Sequence, residues 1–309
     1  MTRAYWRRPL TRRKFLDLTA CGVAGWLVGA LSVPAIADGN PSLQHQVNSY
    51  IQKLRRAGNI PPDERTAWSV SDLTTGHKLV SINEDRPLQA ASMIKPFLAQ
   101  AYFFCHERDS HTYPYDELIR QKLEEMICKS DNEAANFFIN RIAGDLPVNQ
   151  RPHRVERVLK SHAGGIFRQT SIVEFIPTNG RTYRNMASAL DYSRFLSAMF
   201  EDRLPFVNEI KYYMGLPKRN RIKDGAADVP QTVDLYDKSG STAQVCGDMG
   251  VVVARNANGH PHCYTFIGII QKDKRAADYG TWMRHRGNVI REVSGLVYTF
   301  MRKRYDLVG

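Results

Sequence analysis

The chain is poor in cysteine, with five among 309 residues, and no two form a C-x-x-C pair. That excludes a cysteine-built zinc site. Acidic residues are scarce as well: 31 Asp and Glu stand against 43 Lys and Arg, for a formal net charge of +12. No dense Lys/Arg run is interleaved with aromatics, so nucleic acid is not an expected partner. No internal repeat occurs, which removes solenoid architectures. Leu18 to Val33 carries no charge and is rich in Ala, Gly, Leu and Val. The remaining composition, 43% hydrophobic and 24% charged, is that of a globular protein with ample length for a core.

What is present begins at the N-terminus. "TRRKFL" sets Arg12 and Arg13 just before the uncharged run, and "AIA", Ala35 to Ala37, offers small residues for cleavage. A basic n-region, an apolar h-region and a small-residue site read as a twin-arginine export signal over residues 1–37. An uncleaved anchor is the alternative, and "LTAC", Leu18 to Cys21, sits too early for a lipoprotein box. The expected product is residues 38–309, a monomer, periplasmic or secreted, meeting the membrane only through the signal segment during export. The segment carries six Lys/Arg and one Asp, so the remainder stands at about +7, a charge suited to a polyanionic envelope. Cys105, Cys128, Cys246 and Cys263 stay with it. In an oxidising compartment they allow three disulfide pairings, and buried free thiols remain equally open.

Along residues 38–309, apolar periodicity predicts a helix over Leu43–Gly58 and two strands around the "TTG" turn of residues 74–76. A largely buried helix follows over Ala90–Cys105, then two helices meeting at "KSDN", and further helices at "RVERVLKSH" and "ALDYSRFLSAMF". Ile172–Asn185 reads as a loop from its Pro, Gly and Asn. From Thr232 on come strands, a hairpin turning at Asn258-Gly259 and a final helix over Thr281–Arg304. Strands at both ends with helices between predict an α/β (α+β) fold: one antiparallel sheet flanked by helices, plus an all-helical half over about 87–224. The active site is expected where the halves meet.

Three short motifs occur in order: Ser92-Met93-Ile94-Lys95, Ser130-Asp131-Asn132 and Lys238-Ser239-Gly240. Each alone is a weak signal, because serine and asparagine also cap helices. Together they supply a chemistry. A serine hydroxyl is a poor nucleophile until a base takes its proton. A lysine desolvated one turn further along the same helix can be neutral and act as that base. Ser130 can relay the proton, Asn132 can bind a substrate amide, and Lys238 supplies fixed positive charge.

In these three motifs the chain resembles the penicillin-recognising serine enzymes, most of all class A β-lactamases. The resemblance implies an acyl-enzyme on Ser92, with Lys95 and Ser130 catalytic and Asn132, Lys238, Ser239, Gly240 and Ser241 on the substrate side. It implies oxyanion donors at the backbone N–H groups of Ser92 and Ser241. No cofactor and no metal is implied, and the expected partner is a small-molecule or peptidoglycan-derived substrate. The substrate is a β-lactam or related amide or ester; the alternatives are a D-alanyl-D-alanine peptidase or transpeptidase, or a non-catalytic wall-binding relative. The family's E-x-x-L-N loop motif is met only in part: Glu174 and Asn179 lie five apart in "IVEFIPTNG", without the leucine. Glu174 is either the base that activates the deacylating water or a salt-bridged strut of the loop. The Ser92–Ser130 interval, 38 residues, is also short for the class A pattern.

Overall fold

A computed structural model describes residues 41–177 and 183–308. The twin-arginine segment, residues 1–37, and Asn179 lie outside these described residues. The sheet is antiparallel and drawn from both ends of the chain. Its strands are β1 (Glu64–Asp72), β2 (Lys78–Ile82), β5 (Asp234–Ser241), β6 (Val245–Asn256) and β7 (Pro261–Lys272). They run in the order β2-β1-β7-β6-β5. The C-terminal β8 (Leu307–Val308) adds to β6. A second, two-stranded sheet joins β3 (Leu88–Gln89) to β4 (Met186–Ala187). Both faces of the main sheet are covered, so β6 and β7 are buried over nearly their whole length.

One face packs on α1 (Leu43–Arg56) and α8 (Tyr279–Tyr305). The other packs on the helical half: α2 (Lys95–Arg108), α3 (Glu117–Ile127), α4 (Asn132–Ala143), α5 (Arg151–Ala163), α6 (Ala189–Phe200) and α7 (Val207–Gly215). At its centre is α2, buried from Lys95 to Cys105. Its Phe97 ring meets Phe167, Tyr192 and Phe195 at centroid distances of 4.9–5.1 Å, a spacing that favours edge-to-face contact.

Two local expectations are revised. The helix does not open at Ser92: residues Ala91–Ile94 form a 3-10 turn and the α-helix starts at Lys95. Pro96 has no N–H to give the Ser92 carbonyl, so an i→i−4 bond there is impossible; Lys95 N–H makes the tighter i→i−3 bond instead. Cys105, Cys128 and Cys246 are free thiols. Any disulfide among the four cysteines in residues 38–309 would need at least one of these three, so none of those pairings forms. Among the described residues, no helix is long and apolar enough to cross a membrane.

Candidate active site

The Ser92 turn is built under tension. Ala91 sits at φ +46°, left-handed space that costs a non-glycine residue about 1–2 kcal/mol. Hydrogen bonds hold it from two sides: Ala90 N–H donates to the Asn185 carbonyl at 2.9 Å, and the Tyr183 hydroxyl donates to the Ala91 carbonyl at 2.6 Å. Strand β5 presses on the same turn. A Cβ added at Gly240 would lie 2.9 Å from Met93 Cγ and 3.1 Å from Ala91 Cβ, so only glycine lets the strand approach. That is the physical reason for the third letter of K-S-G. Ser92 itself is half-buried.

The charged groups converge on Ser130. Lys95 Nζ donates to the Ser130 carbonyl at 2.5 Å, to its hydroxyl at 3.4 Å and to Asn132 Oδ1 at 2.8 Å. Lys238 Nζ donates to the Ser130 hydroxyl at 3.0 Å and to the Ser239 carbonyl at 3.0 Å. Ser130 holds this position through a left-handed φ of +59°, while Asp131 caps α4 by accepting from Ala134 N–H. Both lysines are buried. Burial, assisted by Lys238, pulls the Lys95 pKa down to about 7. Burial likewise brings Lys238 down to about 8, against the opposing pull of Asp237 and Asp248. Lys95 is thus poised to exchange a proton near neutrality, whereas Lys238 keeps more of its charge.

Behind Lys238 lies a set of ionisable groups that sequence reading missed. Asp237 and Asp248 are buried. Burial and then Asp248's charge raise the Asp237 pKa to about 7, and burial also raises that of Asp248. Lys218 pairs with Asp237 at 3.3 Å. Arg221 gives its backbone N–H to Asp248 Oδ2 at 2.6 Å, and its guanidinium to the Gly247 carbonyl at 2.9 Å and the Ser241 hydroxyl at 2.7 Å. Arg221 therefore brings a second cation to the K-S-G-S strand. Asp248 joins the site because β6 pairs Asp248 with Ser239. No sequence spacing announces that.

Residues 173–176 are clamped by two asparagine amides. Asn136 accepts from Ile176 N–H at 2.7 Å and donates to the Ile176 carbonyl at 2.9 Å. It stands one turn after Asn132 on the same face of α4, which is the signal that could have found it. Asn185, fully buried, accepts from Val173 and Glu174 N–H and donates to the Glu174 carbonyl. Asn132 Nδ2 reaches the loop at the Pro177 carbonyl, 3.2 Å away. Glu174 takes a different direction: Arg184 N–H donates to its Oε1 at 2.7 Å and Arg184 Nε to its Oε2 at 2.8 Å. Lys95, Ser130, Asn132 and Lys238 are therefore brought together, with Gly240 against the Ser92 turn and Ser241 on Arg221. The Glu174 carboxylate is engaged by Arg184. Among the described residues, no group of His, Cys, Asp and Glu could hold a metal ion.

Comparison with known proteins agrees with this frame. The model of the beta-lactamase enzyme family matches residues 107–299. The solved structure of PBP-A is similar, at 19% identity and a TM-score of 0.64 over 85% of this chain and 99% of that one. A point mutant of PBP-A, solved as an acyl-enzyme complex with penicillin G, is similar at 17% identity and TM-score 0.64, over 85% of this chain and 100% of that one. A beta-lactamase from Desulfarculus baarsii follows at 16% identity and TM-score 0.62, over 85% and 99%. At these identities the structures share the fold. No curated protein matches the chain in sequence.

Proposed function

Because the chain belongs to the beta-lactamase enzyme family, we propose that it is an exported serine hydrolase that forms an acyl-enzyme on Ser92, acting on a β-lactam or a related amide or ester. The observation that carries this reading is the meeting of Lys95 and Lys238 on one serine, Ser130. In the step we assign, neutral Lys95 takes the Ser92 hydroxyl proton as the oxygen attacks the substrate carbonyl carbon. The oxyanion is received by the Ser92 and Ser241 backbone N–H groups. The proton then passes from the Lys95 ammonium through the Ser130 hydroxyl to the leaving nitrogen. The C–N bond breaks, an ester remains on Ser92, and Lys95 is neutral again. Lys238 and Arg221 supply the positive field for a substrate carboxylate, and Asn132 bonds the substrate amide.

Release needs a base for water. Both oxygens of Glu174 are engaged by Arg184, which favours a long-lived ester over rapid turnover. That observation supports a second reading, a penicillin-binding enzyme whose own substrate is a peptidoglycan D-alanyl peptide. Incubation with a fluorescent penicillin separates the two. A label that stays on the Ser92 peptide supports the slow enzyme; turnover with no persistent label supports a lactamase. Labelling that survives Ser92→Ala sinks the assignment of the nucleophile.

A further inference from the structure

The hydroxyl of Tyr183 meets the Ser92 turn at an unusual point. It donates at 2.6 Å to the Ala91 carbonyl, which belongs to the same peptide unit as the Ser92 N–H. That unit is planar, with oxygen and hydrogen pointing in opposite directions. Fixing the oxygen therefore fixes where the N–H aims. Donating to the oxygen also polarises the unit, so its N–H becomes a better donor. The neighbouring unit is treated differently: the Tyr192 hydroxyl lies 3.4 Å from the Ala90 carbonyl, a longer contact to a unit that does not include Ser92 N–H. The Ala91 backbone needs holding, since its φ of +46° lies where an alanine does not rest unaided. Tyr183 is itself buried. The loop around it is anchored by the Asn185 carbonyl on Ala90 N–H.

We propose that Tyr183 is a positioning residue for the oxyanion hole: its hydroxyl sets the direction and strength of the Ser92 N–H through the shared Ala91–Ser92 peptide unit. This rests on the acyl-enzyme reading above. It also gives the segment 183–185 a role in acylation that does not depend on Glu174.

Tyr183→Phe keeps the ring and removes only the donor. Tyr192→Phe, which also deletes a buried hydroxyl beside the turn, is the control. Three measurements apply. With a carbonyl-13C-labelled penicillin, infrared difference spectra report the ester carbonyl, whose band moves to higher wavenumber as its hydrogen bonds weaken. The band should move up in Tyr183→Phe and stay at the parent position in Tyr192→Phe. The acylation rate should fall about tenfold in Tyr183→Phe, less than the 10²–10³ of a deleted oxyanion donor, because the N–H remains. In the free protein, the 15N-resolved Ser92 amide proton should shift upfield in Tyr183→Phe alone. An ester band and a Ser92 amide that are both unchanged in a folded Tyr183→Phe overturn the proposal. Equal changes in the two variants also overturn it, because they mean general loosening. If the parent forms no ester on Ser92, the acyl-enzyme reading fails and takes this role of Tyr183 with it, whatever the amide shift does.

Discussion

Lys95 carries the opposing demands of the site most plainly. Two acceptors, the Ser130 carbonyl and Asn132 Oδ1, hold its nitrogen. A neutral amine has two N–H groups for them and keeps a lone pair for the Ser92 proton. Arginine cannot deprotonate, so Lys95→Arg should lose acylation by at least about 10²-fold, the low end for a general base, despite keeping its charge. In the parent, the rate of acylation should rise with pH through about 7, where Lys95 loses its proton. Lys238→Gln removes a like charge that helps depress Lys95, so its residual rate should rise at higher pH than the parent's. A stopped-flow pH series on both proteins checks this, and an unmoved acid limb rules out the coupling. Glu174 is the second residue at issue. With Arg184 on both its oxygens, Glu174→Gln should change the deacylation rate by less than about tenfold, against the 10²–10⁴ of a general base. Trapping of the ester by this variant, read by mass spectrometry over time, would make Glu174 the base after all.

At the scale of elements, the site depends on how closely β5 approaches the 3-10 turn. A Cβ at Gly240 would overlap Met93 and Ala91, so Gly240→Ala must push the strand or the turn aside. Overpacking of this kind costs about 1–3 kcal/mol. Because it displaces Ser92 from Ser241, acylation should fall further than stability does. Denaturant midpoints and labelling rates on one preparation compare the two; parent-like labelling would show that the strand can move freely. The elements themselves were largely legible. Periodicity located α1, α2 to α6, the hairpin β6–β7 and α8, and the "KSDN" break between α3 and α4. Three motifs in order pointed to Ser92, Lys95, Ser130, Asn132 and Lys238, of which the fold brings the last four together. Apart from Asn136, most residues that went unread reach the site through pairings between distant segments. Asp248 arrives through strand register, and Tyr183 and Asn185 arrive through a loop folded onto the Ala90–Ala91 backbone. Arg221 lies outside any regular element. Helix α7 escaped because it opens after Phe206, left-handed at φ +55° and without a side-chain cap. The β3–β4 pair, two residues on each side, is too short to show alternation.

The molecule as a whole places two buried lysines where its halves meet, Lys95 from the helical half and Lys238 from the sheet. The export we propose from the sequence is a separate whole-chain property. The pair Arg12-Arg13 reads as the determinant of twin-arginine export, so Lys–Lys replacement should leave precursor in the cytoplasm, as cell fractionation would show. Arrival of that variant in the periplasm would make the pair incidental. The lysines set a condition on the folded chain. Their folded pKa values, about 7 and about 8, lie below the ordinary 10.5. Between those limits the unfolded chain binds more protons than the folded one, so these two groups make stability rise with pH from about 7 to about 10.5. Below pH 7 Lys95 is charged in both states, and its burial cost, on the order of 5 kcal/mol from the size of the shift, is fully present. Lys95→Met deletes that titration while keeping a long apolar side chain in the same space. It also strips the donor from the Ser130 carbonyl and Asn132, a penalty that does not vary with pH. The difference in thermal midpoint, variant minus parent, should therefore be most favourable to the variant at pH 6 and turn steadily toward the parent up to pH 10. Midpoints recorded at pH 6, 8 and 10 test the slope alone, free of the constant penalty. A flat difference would mean that Lys95 is charged in the folded enzyme across that range, and an amine that never loses its proton there cannot be the base for Ser92.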